Sequence, residues 1–172
     1  MRLEKVIDRK EIEKRVAELG REISEFYGDR EIVVIGILKG AFIFMADLVR
    51  NISIPMKLDF VRASSYIGDR SSGSVEVVYT PSISIKNEDI LLVEDILDTG
   101  LTAHVIKNQL IKWGARSVKL CALIDRKTNR KEITADFLGF ELEDSRFLVG
   151  YGLDVNEKFR YLPDVFAIVN ED

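Results

Sequence analysis

The hydrophobic pattern of the chain changes several times between helical and strand spacing. Between about residues 10 and 27, apolar side chains recur every three or four positions among charged ones, which predicts an amphipathic helix. Ile32–Leu38 is a continuous, β-branched-rich apolar run, typical of a parallel strand that is buried on both faces. Helical spacing returns over residues 41–51. The first part of the chain therefore predicts a helix, a buried strand and a second helix.

The same alternation continues to the end of the sequence. Met56, Leu58 and Phe60 alternate with polar residues, as in a strand with one apolar face. A further helix follows Gly100 and ends near Gly114. Further strands are predicted at residues 75–79, 89–93, 117–124, 137–140, 147–151 and 165–169. Strands that alternate with helices predict a single α/β domain with a largely parallel central sheet, since no repeat or linker divides the chain.

Residues 64–74 interrupt this order. They hold five serines and two glycines among eleven residues and show no apolar periodicity. This composition is typical of a loop, so we predict a mobile loop between two neighbouring strands.

Composition narrows the possible functions. Hydrophobic residues make up 47% and charged residues 31% of the 172 positions, as in average soluble globular domains. The single cysteine, Cys121, allows no intrachain disulfide or cysteine-rich zinc site and points to the cytosol. The single histidine, His104, cannot build a multi-histidine metal centre. A Ser-His-Asp triad is disfavoured, because His104 lies in a predicted helix and the chain has no Gly-x-Ser-x-Gly motif.

The charge balance is slightly acidic, with 25 Lys and Arg against 29 Asp and Glu and a net charge of −4. Because the chain has no bulk basicity, we expect no nucleic-acid partner. The first residues, MRLEKVIDRKEIEKR, match neither a signal peptide nor a transit peptide, and every apolar run is far shorter than a membrane span. We therefore expect a cytoplasmic protein without a membrane partner.

The most informative stretch is LLVEDILDTGLT at residues 91–102. A buried strand delivers Glu94, Asp95 and Asp98 to its carboxyl end, where ligands bind in open α/β sheets. Residues 99–102 then open a helix, whose free N–H groups and positive dipole end suit a phosphate. Carboxylates beside a phosphate seat are consistent if they bind sugar hydroxyls or a Mg²⁺ ion on the same ligand. The pattern therefore predicts a phosphorylated sugar as ligand.

Two other phosphate-binding motifs are absent from the sequence. There is no Gly-x-x-x-x-Gly-Lys-Ser/Thr, which excludes a P-loop, and no Gly-x-Gly-x-x-Gly after a strand, so a dinucleotide fold is not supported. The structural alternative is that Glu94 and Asp95 only end a strand and that Asp98 caps a helix.

The residues VEDILDTGLT closely resemble the phosphoribosyl-pyrophosphate (PRPP) motif of type I phosphoribosyltransferases. Within that superfamily, nearly the whole chain is similar to the hypoxanthine-guanine phosphoribosyltransferase family. The resemblance implies the type I phosphoribosyltransferase fold as one domain over residues 1–172. Its core, about residues 30–140, is a mostly parallel sheet flanked by helices, and its small hood is formed by the chain ends, the N-terminal segment and about residues 141–172.

The implied activity is Mg²⁺-dependent purine salvage. The 5-phosphoribosyl group of PRPP passes to N9 of hypoxanthine or guanine, which gives IMP or GMP and pyrophosphate. Asp98 is the candidate general base at purine N7. Glu94 and Asp95 are expected to hold the ribose hydroxyls directly or through Mg²⁺. The implied 5′-phosphate seat consists of Asp98, Thr99, Gly100, Leu101 and Thr102. Because dimers and tetramers are usual in the family, we expect a homodimer or a homotetramer.

Two further segments match parts of the family that surround PRPP. Residues 36–41 resemble the loop that binds pyrophosphate through backbone amides, with Lys39 and Gly40 as contacts and often a non-proline cis peptide before the lysine. From the residues alone, this segment is equally a plain strand-to-helix turn with an exposed lysine. Ser65 and Tyr66 resemble the pair on the flexible loop that closes over the site. By composition, they belong only to a surface loop.

Two more segments match the purine and pyrophosphate contacts. Residues 146–154 resemble the purine-binding strand and hood, in which Phe147 stacks on the purine and the Leu148 backbone hydrogen-bonds the base edge. Asp154 is expected near the base and the second Mg²⁺ ion. Arg160 resembles the arginine that contacts pyrophosphate, because its planar donor fork suits phosphate oxygens. Without the resemblance, Phe147 would be assigned to the core.

One place departs from the family pattern. The family usually has a lysine after the corresponding strand that donates to purine O6, commonly as Asp-Lys-Pro, whereas residues 125–128 read Asp-Arg-Lys-Thr. Alignment to the strand end puts Arg126 in that place, with Lys127 one residue later, so either residue is a candidate donor. Neither donor suits adenine, whose position 6 carries an amino group. The structural alternative is a solvated basic loop.

Two other functions compete with this interpretation. One is a related enzyme with a different base preference, for example for xanthine. The other is a nucleotide-sensing regulator that kept the PRPP fold and binds RNA. The regulator would need a basic face, and the net charge of −4 with dispersed Lys and Arg residues disfavours it.

Overall fold

The computed structural model describes residues 2–66, 74–127 and 132–169. In chain order, the helices and strands are β1 (Arg2–Ile7), α1 (Arg9–Tyr27), β2 (Ile32–Leu38), α2 (Phe42–Val49), β3 (Met56–Tyr66), β4 (Ser74–Tyr79), β5 (Asp89–Leu97), α3 (Leu101–Lys112), β6 (Ser117–Arg126), β7 (Phe137–Leu142), β8 (Leu148–Val149) and β9 (Val165–Val169). From α1 onward, this order follows the one that the hydrophobic pattern predicts.

The centre of the molecule is a six-stranded sheet in the order β4-β3-β2-β5-β6-β7. Neighbouring strands are parallel, except that β4 pairs antiparallel with β3 at one edge. The continuous apolar runs of β2 and β5 lie in the middle and are buried on both faces. Helices α1 and α2 pack on one face, and α3 packs on the other. The prediction of an α/β fold with a mostly parallel sheet flanked by helices is confirmed.

A second, three-stranded sheet joins the two ends of the chain in the order β1-β9-β8. Arg2 pairs with Val169, and the antiparallel register continues to Ile7. The hydrophobic pattern predicts no strand at residues 2–7, and the structure corrects this. Only Ile7 is buried in β1, so its apolar pattern is weak and the strand depends on pairing with β9. This sheet forms the small hood that the resemblance implies.

Two predicted boundaries also need correction. The strand predicted at residues 147–151 is limited to β8, because Gly150, Tyr151 and Gly152 all adopt positive φ angles and turn the chain. The strand predicted at residues 89–93 continues to Leu97, so it carries its acidic residues as part of the sheet.

The prediction of a mobile loop at residues 64–74 is wrong at both of its ends. Strand β3 continues through Tyr66 and β4 begins at Ser74, where these two residues pair with each other. Residues 67–73 lie outside the described residues.

In β3, a polar side chain is buried and an apolar one is exposed. The Asp59 carboxylate is buried and accepts hydrogen bonds from the Ser82 and Ile83 backbone amides at 2.7 and 3.0 Å. Leu58 is 49% exposed on the other face, beside α2. Alternation sets which residues share a face, and the hydrogen bonds from residues 82 and 83 satisfy the carboxylate that is buried on one of them. None of the helices in the described ranges is long and apolar enough to cross a membrane.

Candidate active site

The candidate site lies where β5 leaves the central sheet and the chain enters α3. A cavity of about 260 Å³ opens at this carboxyl end. Its lining comes from the ends of β2, β3 and β5 and from the first turn of α3: Ile37, Leu38, Gly40, Ala63, Glu94, Asp95, Ile96, Leu97, Asp98, Thr99, Gly100, Leu101, Thr102 and Ala103. The structure thus brings the acidic residues and the helix start together, as expected for adjacent parallel strands.

The start of α3 depends on Gly100. This residue has a φ of 79°, in the left-handed region, and a Cβ atom there would lie 2.9 Å from Ile133 Cγ2. The N-cap residue is Gly100 itself, which has no side chain with which to cap the helix. The Leu101 amide donates a hydrogen bond to Thr99 Oγ1 at 3.3 Å. Residues 98–103 all line the cavity. The positive end of the helix therefore borders the cavity, where it suits an anion.

Glu94, which is buried, and Asp95, which is half-buried, form an acidic pair. Glu94 is only 7% exposed, and its Oε1 accepts from the Asp95 amide at 3.2 Å. Burial, and then the neighbouring Asp95 carboxylate, raise the pKa of Glu94 well above its usual value. Burial also raises the pKa of Asp95. The pair therefore retains a proton more readily than exposed carboxyl groups do, and a bound cation would favour its ionised form.

The loop after β2 packs directly against this pair. A Cβ atom on Gly40 would overlap the Asp95 carboxylate, so glycine is needed for the close approach. The peptide bond between Leu38 and Lys39 is cis, as the resemblance implies.

A second cavity, of about 250 Å³, adjoins the first. It is lined by Asp95, Ile96, Asp98, Arg126, Phe147, Leu148, Leu153 and Asp154. Asp95, Ile96 and Asp98 line both cavities, so they form a common wall. Phe147 is 56% exposed, which excludes its assignment to the core. An exposed aromatic ring beside buried leucines offers a flat apolar surface on which a planar ligand can stack.

The structure separates the two candidate donors at the end of β6. Arg126 lines the second cavity, and its Nε is buried without a hydrogen-bond partner among the described residues. Lys127 is exposed and does not line the cavity, since its Nζ lies 2.7 Å from Glu141 Oε2. A solvated basic loop therefore describes Lys127 but not Arg126. A buried donor without a partner is costly unless a ligand satisfies it.

Two cationic side chains lie near the cavities without lining them. Lys39 Nζ lies 2.8 Å from Glu157 Oε2. Arg160 Nη2 lies 2.9 Å from Asp154 Oδ1, and its Nη1 donates to the Gly152 carbonyl at 2.7 Å. Both cations therefore face the loop that follows β8.

Some residues near the cavities carry no signal in the sequence that would identify them, and two predicted site residues have side chains that the structure does not describe. The side chains of Ser65 and Tyr66, at the end of β3, lie outside what the structure describes. The sequence predicts no role for Glu157, and its negative charge is the single feature that suggests a contact with a cation such as Lys39. The remaining cavity residues are apolar and carry no chemical signal in the sequence: Ile37, Leu38, Ala63, Ile96, Leu97, Ala103 and Leu153.

Comparison with known proteins agrees with this geometry. The family model "Phosphoribosyl transferase domain" matches residues 3–156. The chain is 44% identical over 170 residues to the hypoxanthine-guanine phosphoribosyltransferase of Aquifex aeolicus, covering 97% of this chain and 95% of that protein. It is 37% identical over 172 residues to the hypoxanthine-guanine-xanthine phosphoribosyltransferase of Tritrichomonas foetus, covering 98% and 93%. A crystal structure of a hypoxanthine-guanine phosphoribosyltransferase from Bacillus anthracis superposes with a TM-score of 0.91 at 36% identity, covering 96% and 98%.

Proposed function

The chain belongs to the phosphoribosyltransferase family, and we propose that it is a purine-salvage enzyme. It transfers the 5-phosphoribosyl group of PRPP to N9 of hypoxanthine or guanine, which forms IMP or GMP and pyrophosphate. The observation that carries this proposal is the pair of adjoining cavities. One suits a sugar phosphate, the other suits a planar base, and Asp95, Ile96 and Asp98 form the wall between them.

The first cavity is assigned to the sugar phosphate. The backbone amides from Asp98 to Thr102, with the hydroxyls of Thr99 and Thr102, are the 5′-phosphate seat, including Gly100 and Leu101. Glu94 and Asp95 then face the ribose, whose hydroxyl groups can donate to carboxylates. The raised pKa values of the two acids support a role in ligand binding, because a bound cation would favour the ionised form that burial disfavours.

Enzymes of this family use Mg²⁺ with PRPP, and the ion neutralises phosphate charge. Carboxylate oxygens are ligands that Mg²⁺ prefers, and Glu94, Asp95 and Asp154 supply them at the two cavities. Within the described ranges, no group of three or more His, Cys, Asp or Glu side chains is placed to hold a metal. We therefore assign the remaining Mg²⁺ ligands to phosphate oxygens of PRPP and to water.

The second cavity is assigned to the purine. Phe147 stacks on the ring, and the Leu148 backbone hydrogen-bonds the base edge. The half-buried Arg126 side chain, whose Nε is buried without a partner among the described residues, donates to O6. This favours 6-oxopurines over adenine, because the adenine 6-amino group is itself a donor. Lys127, which pairs with Glu141, is left in solvent.

Asp98 lies on the wall between the two ligands and acts as the general base. It removes the proton from purine N7, so that N9 attacks ribose C1 while the bond to pyrophosphate breaks. Positive charge develops on the sugar, and the leaving pyrophosphate takes the bonding electrons. Lys39, Gly40 and Arg160 are assigned to pyrophosphate. Ser65 and Tyr66, at the end of β3, are assigned to the segment that covers the site.

The proposal includes the organisation of the protein. We assign residues 1–172 to one domain, with a core of about residues 30–140, and we expect a homodimer or a homotetramer in the cytoplasm. An open apolar groove between α2 and β3 supports self-association, because its residues Phe42 and Leu58 are 42% and 49% exposed. Light scattering on the purified chain measures the oligomeric state.

The buried thiol of Cys121 supports the expected cytoplasmic location, because free thiols fit a reducing compartment.

Nucleotide formation tests the function directly. The protein is incubated with PRPP, Mg²⁺ and hypoxanthine, guanine, xanthine or adenine in separate reactions, and the nucleotide and pyrophosphate are measured. We expect IMP and GMP but no AMP. Formation of AMP, or of no nucleotide from any base, would contradict the proposal. The name of the Tritrichomonas foetus relative makes xanthine a second candidate substrate, and XMP formation would add it.

A further inference from the structure

Glu157 bridges the two cations that the proposed function assigns to pyrophosphate. Its Oε2 atom lies 2.8 Å from Lys39 Nζ and 3.5 Å from Arg160 Nη2. Lys39 follows β2 and Arg160 lies in the loop after β8, so one carboxylate oxygen holds cations from two distant parts of the chain. This interaction is the one that a phosphate oxygen would make with the same two groups.

The backbone holds Glu157 in this place. Asn156 and Glu157 both adopt left-handed conformations, with φ angles of 51° and 63°. Such conformations cost free energy in residues other than glycine and persist when surrounding contacts fix them. One such contact is the Glu157 amide, which donates to Asp154 Oδ2 at 2.8 Å. The turn therefore presents the carboxylate to Lys39 in a defined position.

We propose that Glu157 is an internal counter-anion of the pyrophosphate subsite, an inference that rests on the proposed function. When the subsite is empty, the Glu157 carboxylate neutralises Lys39 and Arg160. When the pyrophosphate group of PRPP enters, it displaces this carboxylate, and when product pyrophosphate leaves, the carboxylate returns. Glu157 thus competes with substrate and product for the same two cations.

The expected competition is modest because both partners are partly in solvent. The Lys39 and Glu157 side chains are 45% and 64% exposed, and exposed ion pairs are weak. A weak competitor suits an enzyme that must bind pyrophosphate and then release it. An ordinary surface ion pair, in contrast, would change neither substrate affinity nor product affinity when it is removed.

Glu157→Gln tests the proposal, because glutamine retains the size and the acceptor oxygen but not the charge. The Michaelis constant for PRPP and the dissociation constant of Mg²⁺-pyrophosphate, measured by calorimetry without any base, are compared with those of the wild type. Both should fall on the order of three- to tenfold, while the Michaelis constant for hypoxanthine stays unchanged. In about 1 M salt the difference should shrink, since exposed charges are then screened.

Two variants serve as controls. Glu157→Asp retains the charge and should remain closer to the wild type than Glu157→Gln. Glu31→Gln removes a similar exposed partner of a lysine, since Glu31 Oε1 lies 3.1 Å from Lys57 Nζ before β2, at the opposite end of the sheet. It should leave both constants unchanged.

Unchanged or weaker pyrophosphate binding by Glu157→Gln would overturn the proposal, because a counter-anion can only oppose binding. An equal gain in Glu31→Gln would also overturn it, since the effect would then come from net charge alone. If the wild type forms no nucleotide from any base, the proposed function fails, while the calorimetric comparison still decides whether Glu157 competes with pyrophosphate.

Discussion

Strand β5 carries acidic residues at both ends, and their surroundings shift their pKa values in opposite directions. At its amino end, Asp89 is 2% exposed and accepts hydrogen bonds from Arg116 Nη2 at 2.7 Å and from Ser117 Oγ at 2.6 Å. Hydrogen bonds from Arg116 above all hold the pKa of Asp89 at about 2. At its carboxyl end, Glu94 and Asp95 form no salt bridge with any of the described residues, and burial raises their pKa values.

The difference separates a structural acid from acids reserved for a ligand. The charge of Asp89 is compensated within the fold, so it stabilises the native state. Glu94 and Asp95 are desolvated, and the attraction of Arg160 offsets only part of the effect of burial on Asp95. The ionised pair therefore opposes folding until a ligand supplies a closer cation. Perturbed carboxyl groups of this kind, placed in a cavity, mark functional sites. Each of the following substitutions lies at or just beyond one end of β5 and should leave the other end unaffected, whereas a change of pH acts on both ends.

Asp98→Asn should have the largest effect. Asparagine has the same shape but cannot accept the N7 proton, so turnover should fall by about a hundredfold or more while PRPP binding remains nearly intact. Steady-state assays with hypoxanthine measure the loss, and thermal unfolding shows whether stability is preserved. Wild-type turnover in this variant would remove Asp98 from the mechanism.

Asp89→Asn should affect stability rather than activity. It removes the charge that Arg116 and Ser117 hold, and the free energy of unfolding should fall by about 2 kcal/mol. Urea unfolding at neutral pH measures this loss. Glu13→Gln, which removes only the exposed pair with Arg9, is the control and should change little. A large loss of turnover in folded Asp89→Asn would break the separation between the two ends.

The pH dependence of stability should reflect the acidic residues at both ends of β5. Asp89 has a lowered pKa, so its stabilisation is present above its ordinary value of 3.8 and should be lost as pH falls towards about 2. The size of this loss is about 2 kcal/mol. Glu94 has a raised pKa, so its contribution has the opposite sign, and stability should fall as pH rises above 4.5. Urea unfolding from pH 7 to pH 2 should therefore give a maximum under mildly acidic conditions, and a steady rise of stability to pH 7 would contradict this.

Glu94→Gln should have the smallest effect on stability, in the opposite direction to Asp89→Asn. A neutral amide avoids the burial of an ionised group, so the free energy of unfolding at pH 7 should rise by about 1 kcal/mol. The same variant should bind Mg²⁺ and PRPP less tightly. Thermal unfolding without ligand provides the measurement, and a clear loss of stability would show that Glu94 has a structural partner.

The strands that form the site could be predicted because they are buried on both faces. The apolar runs of β2 and β5 need no partner to be recognised, and the rule that ligands bind at carboxyl ends places Glu94 and Asp95. The acidic residues, the glycine and the threonines of residues 91–102 can also be recognised from the sequence alone, because these residue types suit a phosphorylated sugar. The arrangement of the first cavity could therefore be expected before the structure was known.

Other parts depend on contacts between distant residues. Strand β1 is held by β9 at the other end of the chain, and its own pattern is weak. Arg126 lines the second cavity and Lys127 does not, and this difference depends on where β6 ends, since Arg126 is its last residue. The contact between Lys39 and Glu157 joins two loops whose approach no local pattern encodes.

Calorimetric binding of Mg²⁺ and PRPP to the wild type, Asp95→Asn and Asp89→Asn tests the central claim most directly. Asparagine at position 95 can still accept from the Ile96 amide, so the change removes only the charge. We predict that Asp89→Asn, measured where it is folded, binds as the wild type does, and that Asp95→Asn loses about tenfold or more in affinity. Equal binding by Asp95→Asn and the wild type, or an equal loss in both variants, would contradict the claim that the carboxyl end of β5 is the PRPP site.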